Sequence, residues 1–98
     1  MSPEVLARLA RVDIQVVAQN NGYFVLARNI CVGIVREQDG RLSIGSSGIM
    51  TDSGLAYLIW AGCKPILAAH GGSQSPASPQ QVEAVQGFSN DLKAAISQ

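Results

Sequence analysis

The stretch Leu55-Ala56-Tyr57-Leu58-Ile59-Trp60-Ala61-Gly62-Cys63-Lys64-Pro65-Ile66-Leu67-Ala68-Ala69-His70 decides the fold. Gly62-Cys63 divides it into two apolar runs of strand length. Glycine at the first position of a two-residue turn fits the type II′ geometry, whose twist matches that of an antiparallel pair. With the turn there, Leu58 falls opposite Leu67 and Ala56 opposite Ala69 on one face. Ile59 opposite Ile66, Tyr57 opposite Ala68 and Leu55 opposite His70 share the other. Both faces are apolar, whereas a hairpin with one solvated face alternates with polar residues. Pro65 has no N–H for a ladder and belongs at a strand start or on an edge.

This hairpin lies in a charge-poor region. From Leu42 to Val82, 41 residues, the only formal charges are Asp52 and Lys64. Over the whole 98-residue chain the charged fraction is 14%, well below the usual value of about 25%. The apolar fraction, 47%, is ordinary. A normal core with so few charges predicts a surface of small polar residues, or one partly buried in a partner. The size is that of one domain spanning 1–98, with a thin core and a stability of about 5–10 kcal/mol.

Upstream, hairpin signals recur. Asn21-Gly22, between Ile14–Ala18 and Tyr23–Arg28, predicts a tight turn that sets Ala18 against Val25 and Val16 against Ala27. Asn29 either takes a left-handed conformation and turns the chain, or Tyr23–Arg36 is one long bent strand; Ile30–Arg36 is strand-like both ways. Asp39-Gly40 predicts a further hairpin pairing Val35 with Ile44 and Arg36 with Ser43. Gly45-Ser46-Ser47-Gly48 interrupts the next strand as a bulge or a wide loop. Apolar character resumes at Ile49-Met50, and Thr51-Asp52-Ser53-Gly54 turns again. After the third hairpin, Gly71–Pro79 reads as a loop rich in Gly, Ser and Pro.

A helix is predicted at each end. Ser2 caps the first, with Pro3 and Glu4 in its opening turn and Val5, Leu6, Leu9 and Val12 on one stripe; it stops near Val12. Ser78 caps the second, with Pro79 in the first turn and Gln81 completing a capping box. Val82, Val85, Phe88, Leu92 and Ile96 form its apolar stripe, while Glu83, Gln86, Asn90 and Lys93 are expected to face water. Together these elements predict an α+β fold, an antiparallel meander of five to six strands with both helices packed on one face.

Composition narrows the function classes. Formal net charge is zero, so the chain lacks the basic footprint needed for phosphate backbones, and nucleic acid is not an expected partner. The apolar run Gly54–Trp60 is far shorter than the roughly 20 residues of a membrane span, so no membrane is expected. Met1-Ser2-Pro3-Glu4 shows no basic-then-apolar leader pattern, and the expected location is cytoplasmic, with Cys31 and Cys63 as free thiols.

No stretch forms a catalytic or binding signature. His70, the sole histidine, would serve as a general base only in a cleft; otherwise it is a strand-end residue. Cys63 stands beside Lys64 but at the opposite end of its hairpin from His70, about 20 Å away at about 3.3 Å per residue, which opposes a Cys–His pair within one chain. Cys31 reads as a small core residue. Two cysteines and one histidine have no metal-site spacing, and neither metal nor cofactor is expected. Gly45–Gly48 offers amides and hydroxyls to an anion but lacks the lysine of a phosphate loop. Asp52 is a turn acid, of chemical interest only if near His70 or Arg28.

The expected function is therefore a non-enzymatic binding module. Only two helices are available to cover a sheet apolar on both faces, and the uncovered face predicts a homo-oligomer, in the first place a C2 dimer. Tyr57, Trp60, Ile59, Ile66, His70 and Asp52 are the candidate ligand or interface residues. Tyr57 and Trp60 are expected on opposite faces of one strand. A small apolar ligand or a partner protein would be held at the sheet or dimer face. Two alternatives are a small enzyme using His70 and Asp52 at a subunit boundary, and an inhibitor or antitoxin-like protein docking through the sheet.

Overall fold

In the computed structural model, which describes residues 1–52, 54–69 and 71–97, the middle of the chain is one antiparallel sheet. The order is α1 (Pro3–Arg11), β1 (Gln15–Asn20), β2 (Tyr23–Arg28), β3 (Cys31–Gln38), β4 (Arg41–Thr51), β5 (Gly54–Ala61), β6 (Lys64–Ala69), β7 (Gln74–Pro76) and α2 (Pro79–Ile96). The strands follow one another β1 to β7 across the sheet. The architecture is the expected α+β meander with terminal helices, enlarged to seven strands. The extra strand comes from the segment 71–79 expected to be loop. Three of its residues pair with β6, Leu67 opposite Ser75 and Ile66 opposite Pro76. Pro76 is tolerated because β7 is an edge strand.

Turn chemistry sets the registers. Asn21 and Gly22 both have positive φ, 45° and 85°, as a type I′ turn requires. At the tip of the β5–β6 hairpin only Gly62 is positive, at 66°, the type II′ pattern. Leu58 pairs with Leu67, Ile59 with Ile66 and Tyr57 with Ala68, as the sequence predicts; the Leu55–His70 pair lies outside the described residues. Asn29 turns the chain at φ 55°, so β2 and β3 are separate strands. Val35 meets Ile44 and Arg36 meets Ser43.

Two registers contain an extra residue. Ala18 pairs with Val25 as expected, but Val16 lies opposite Leu26 rather than Ala27. A bulge at Val17 shifts the pairing by one, a common feature of edge strands that re-aims the backbone away from further pairing. In β4 the register runs from Ser47 opposite Gly33 to Ile44 opposite Val35. Gly45 and Ser46 therefore lie opposite Ile34 alone, and the Gly45–Gly48 interruption is a bulge within a continuous strand.

Both helices lie on one face. Val85, Phe88, Leu92 and Ala95 of α2 are buried, with Val82 and Ile96 at the margins. Against them the sheet presents Phe24, Leu26, Val35, Ile49, Ala56 and Leu67. Gly33 is the seat of α2. A Cβ there would stand 2.9 Å from Phe88 and 3.1 Å from Leu92, so the helix approaches the bare backbone of β3. Helix α1 adds Val5 and Leu9, while Leu6, expected on its buried stripe, is exposed. Both predicted caps form: Ser2 Oγ accepts from the Val5 N–H at 3.3 Å, and in the capping box of α2 Ser78 Oγ accepts from the Gln81 N–H at 3.1 Å while the Ser78 N–H donates to Gln81 Oε1 at 2.8 Å.

One polar tie joins three elements. Arg28, at the end of β2, donates from Nη1 to the Val12 carbonyl at 3.0 Å and to Asp91 Oδ2 of α2 at 2.7 Å. Its guanidinium also lies 5.7 Å from the Phe88 ring centre. Arg28→Met, which keeps the length and loses the charge, is expected to lower stability by about 1–3 kcal/mol in urea unfolding, since the carbonyl at the end of α1 loses its charged donor. Asp91 is the more exposed partner, so Asp91→Asn is expected to cost under about 1 kcal/mol. Equal losses would mean that the ion pair alone holds the side chain. No helix among the described residues is long and apolar enough to cross a membrane.

Candidate functional site

The face of the sheet opposite the helices is the candidate site. Strand alternation sends Ala27, Val32, Tyr57 and Ala68 to that side, and the registers join them into one row across five strands through Gly48 of β4, where a Cβ would run into the Ala56 carbonyl of β5. Beside this row, Val25 pairs with Ile34, Met50 with Leu55 and Ile59 with Ile66. The face is thus apolar from β2 to β6, and no described element packs over it.

Burial varies across this face. Val32 is only 5% exposed although it lies on the side without helices. Tyr57, Ile34, Leu55 and Ile66 are half-buried by their sheet neighbours. Ile59 and Met50 are exposed, at 39% and 53%. Charge is confined to the rim. Arg36 lies 5.6 Å from the Tyr23 ring, an attraction that holds the cation at the margin. Arg41 and Lys64 stand beside hairpin turns.

The structure brings together three of the predicted residues: Tyr57, Ile59 and Ile66 share the open face. Trp60 lies on the opposite side, as alternation requires, in register with Pro65. It is 52% exposed, because α2 runs over β3 and β4 and leaves the far end of β5 uncovered. There Trp60, Pro65, Ala77, Pro79 and Val82 border an open groove of about 730 Å³. Asp52 is exposed at the β4–β5 turn. Arg28, its potential cationic neighbour, is bonded to Asp91 instead. His70 lies outside the described residues. Among the described residues no group of three or more His, Cys, Asp or Glu side chains could hold a metal ion.

The cysteines differ in environment. Cys31 is buried on the helix side, where desolvation pushes its thiol above the ordinary value against a weaker downward pull from the Arg28 charge. Cys63 is exposed at the β5–β6 tip. A thiol reagent at mildly alkaline pH is expected to titrate Cys63 in the native protein and Cys31 only on unfolding, because the thiolate is the reactive form. Rapid reaction of both thiols would contradict the burial of Cys31.

Sequence reasoning missed two features. The Arg28–Asp91 tie joins residues 63 apart, and no local pattern announces it. On α2, Gln86 and Lys93, expected to face only water, border a pocket shared with the β4 bulge. Their spacing from Ser89 was the available signal. No family model matches the chain, and neither a curated protein nor a solved structure shows significant similarity to it.

Proposed function

We propose that this chain is a non-enzymatic interaction module that self-associates through its open sheet face as a C2 dimer. The observation that supports the reading is that face: apolar from β2 to β6, with charge only at its rim and the helices all on the other side. Five strands about 4.8 Å apart and about six residues long cover roughly 24 by 20 Å. Side-chain relief raises the accessible area of such a face toward the ~800 Å² per partner of a standard interface. A second copy fits it in chemistry as well as size. A two-fold axis sets the same apolar surface against itself, and the rim cations remain free to point to water. Two such faces would stack as a sandwich about 10 Å thick.

Association through this face would leave both helices outermost and the Trp60 groove accessible. The test is the oligomeric state at micromolar concentration. A concentration-dependent dimer is expected. A monomer throughout would remove this reading and leave the face to a different protein or to an apolar ligand.

A further inference from the structure

Trp60 is the sole tryptophan of the chain, and the fold leaves it 52% exposed beside a groove of about 730 Å³. That volume falls within the roughly 300–1,000 Å³ typical of ligand sites. The groove is open, however, and suits part of a larger partner better than an enclosed small molecule. Trp60 and Pro65, cross-strand partners in the β5–β6 hairpin, form one wall. Helix α2 forms the other.

Four α2 residues border the groove along its length: Glu83, Gln86, Gly87 and Asn90. Offsets of three, four and seven residues set them on one helix face. Gly87 is the informative member. Glycine inside a helix is less stable than alanine, and a Cβ at this position would meet no atom of the fold within 4 Å. Packing within the chain therefore does not call for glycine. Its effect is on the groove, where it keeps the α2 wall bare between Glu83 and Asn90.

Charge selects the occupant. Glu83 is the only charged residue lining the groove, and it takes part in neither of the ion pairs found among the described residues. The adjoining N-terminus of α2 offers little to an anion. Pro79 has no N–H, and the N–H groups of Gln81 and Val82 already donate to Ser78. A cation is better served: an indole face attracts it, a carboxylate pairs with it, and the amide oxygens of Gln86 and Asn90 accept N–H groups. A guanidinium meets all three, being planar, rich in donors and weakly hydrated, whereas a lysine ammonium is compact and strongly hydrated. We propose that this groove docks an arginine side chain of a partner protein, stacked on Trp60 and paired with Glu83, with the bare backbone at Gly87 making room for the partner's chain. The groove lies on the helix side of the sheet, and its occupation does not depend on the dimer.

Because Trp60 is the sole tryptophan, its fluorescence reads this groove directly. The probes are acetyl-Ala-Arg-Ala-amide and the same tripeptide with citrulline, the neutral isostere, or glutamate in place of arginine, each added to the full chain up to about 10 mM. A saturable change is expected for the arginine peptide, with binding about 10-fold weaker for the citrulline peptide and absent for the glutamate peptide. Glu83→Gln is expected to weaken binding of the arginine peptide about 10-fold. Gly87→Ala is expected to weaken it about 5-fold while leaving the melting temperature unchanged or higher, a split that a purely structural glycine would not give. The proposal is overturned by a change that never saturates, by citrulline or glutamate peptides that bind as well as the arginine peptide, or by variants that bind like the parent.

Discussion

Phe88→Ala is expected to lower the unfolding free energy by about 3–5 kcal/mol. Phe88 is fully buried. Its ring sits where Gly33 leaves the β3 backbone bare and lies under the Arg28 guanidinium. Truncation removes the ring, opens a cavity that the flat backbone of β3 cannot fill, and takes away the aromatic face beneath Arg28. A domain of this size has about 5–10 kcal/mol in all, so the variant should be marginal at 37 °C. Urea unfolding at one fixed protein concentration measures the loss, which keeps any association constant between variants. A loss below about 1 kcal/mol would mean that α2 is not seated on Gly33 as described.

Ile59→Lys is expected to weaken self-association by about 100-fold, while leaving the protomer folded. Ile59 is 39% exposed and pairs across strands with Ile66 on the open face. In a single protomer the lysine stem can lie along Ile66 with its ammonium in water. In a face-to-face dimer the same ammonium, twice over by symmetry, would have to lose its water without a partner, a cost of several kcal/mol. Leu6→Lys is the control. Leu6 is comparably exposed at 43% but belongs to α1, on the helix side of the sheet, and its substitution should leave association unchanged. If both variants weaken association alike, the interface involves the helices instead.

Much of the fold was legible because it rests on local chemistry. Asn21-Gly22, Asp39-Gly40 and Gly62-Cys63 each specify a two-residue turn, and once a turn is placed the period of two fixes which side chains face each other. Ser78 and Gln81 likewise announce the start of α2. The bulge at Val17 was not legible, since its cause is the accommodation of an edge strand to its neighbour. Nor was β7, because Gln74–Pro76 has no strand propensity of its own and pairs only because β6 offers a free edge. Arg28 illustrates the same limit for side chains: its partners Val12 and Asp91 meet only when three elements have packed. Of the site, the apolar character of Tyr57, Ile59 and Ile66 on one face followed from the hairpin register. The groove beside Trp60 followed from nothing local, since it depends on where α2 crosses the sheet.

Whether a second copy of the chain covers the open face is decided by sedimentation equilibrium across about 1–100 μM. The chain is expected to approach a mass twice its 10.3 kDa with rising concentration, and Ile59→Lys to remain at the single-chain mass over the same range. A parent protein that sediments as one chain at every concentration, or an Ile59→Lys variant that dimerises as well as the parent, would contradict that coverage.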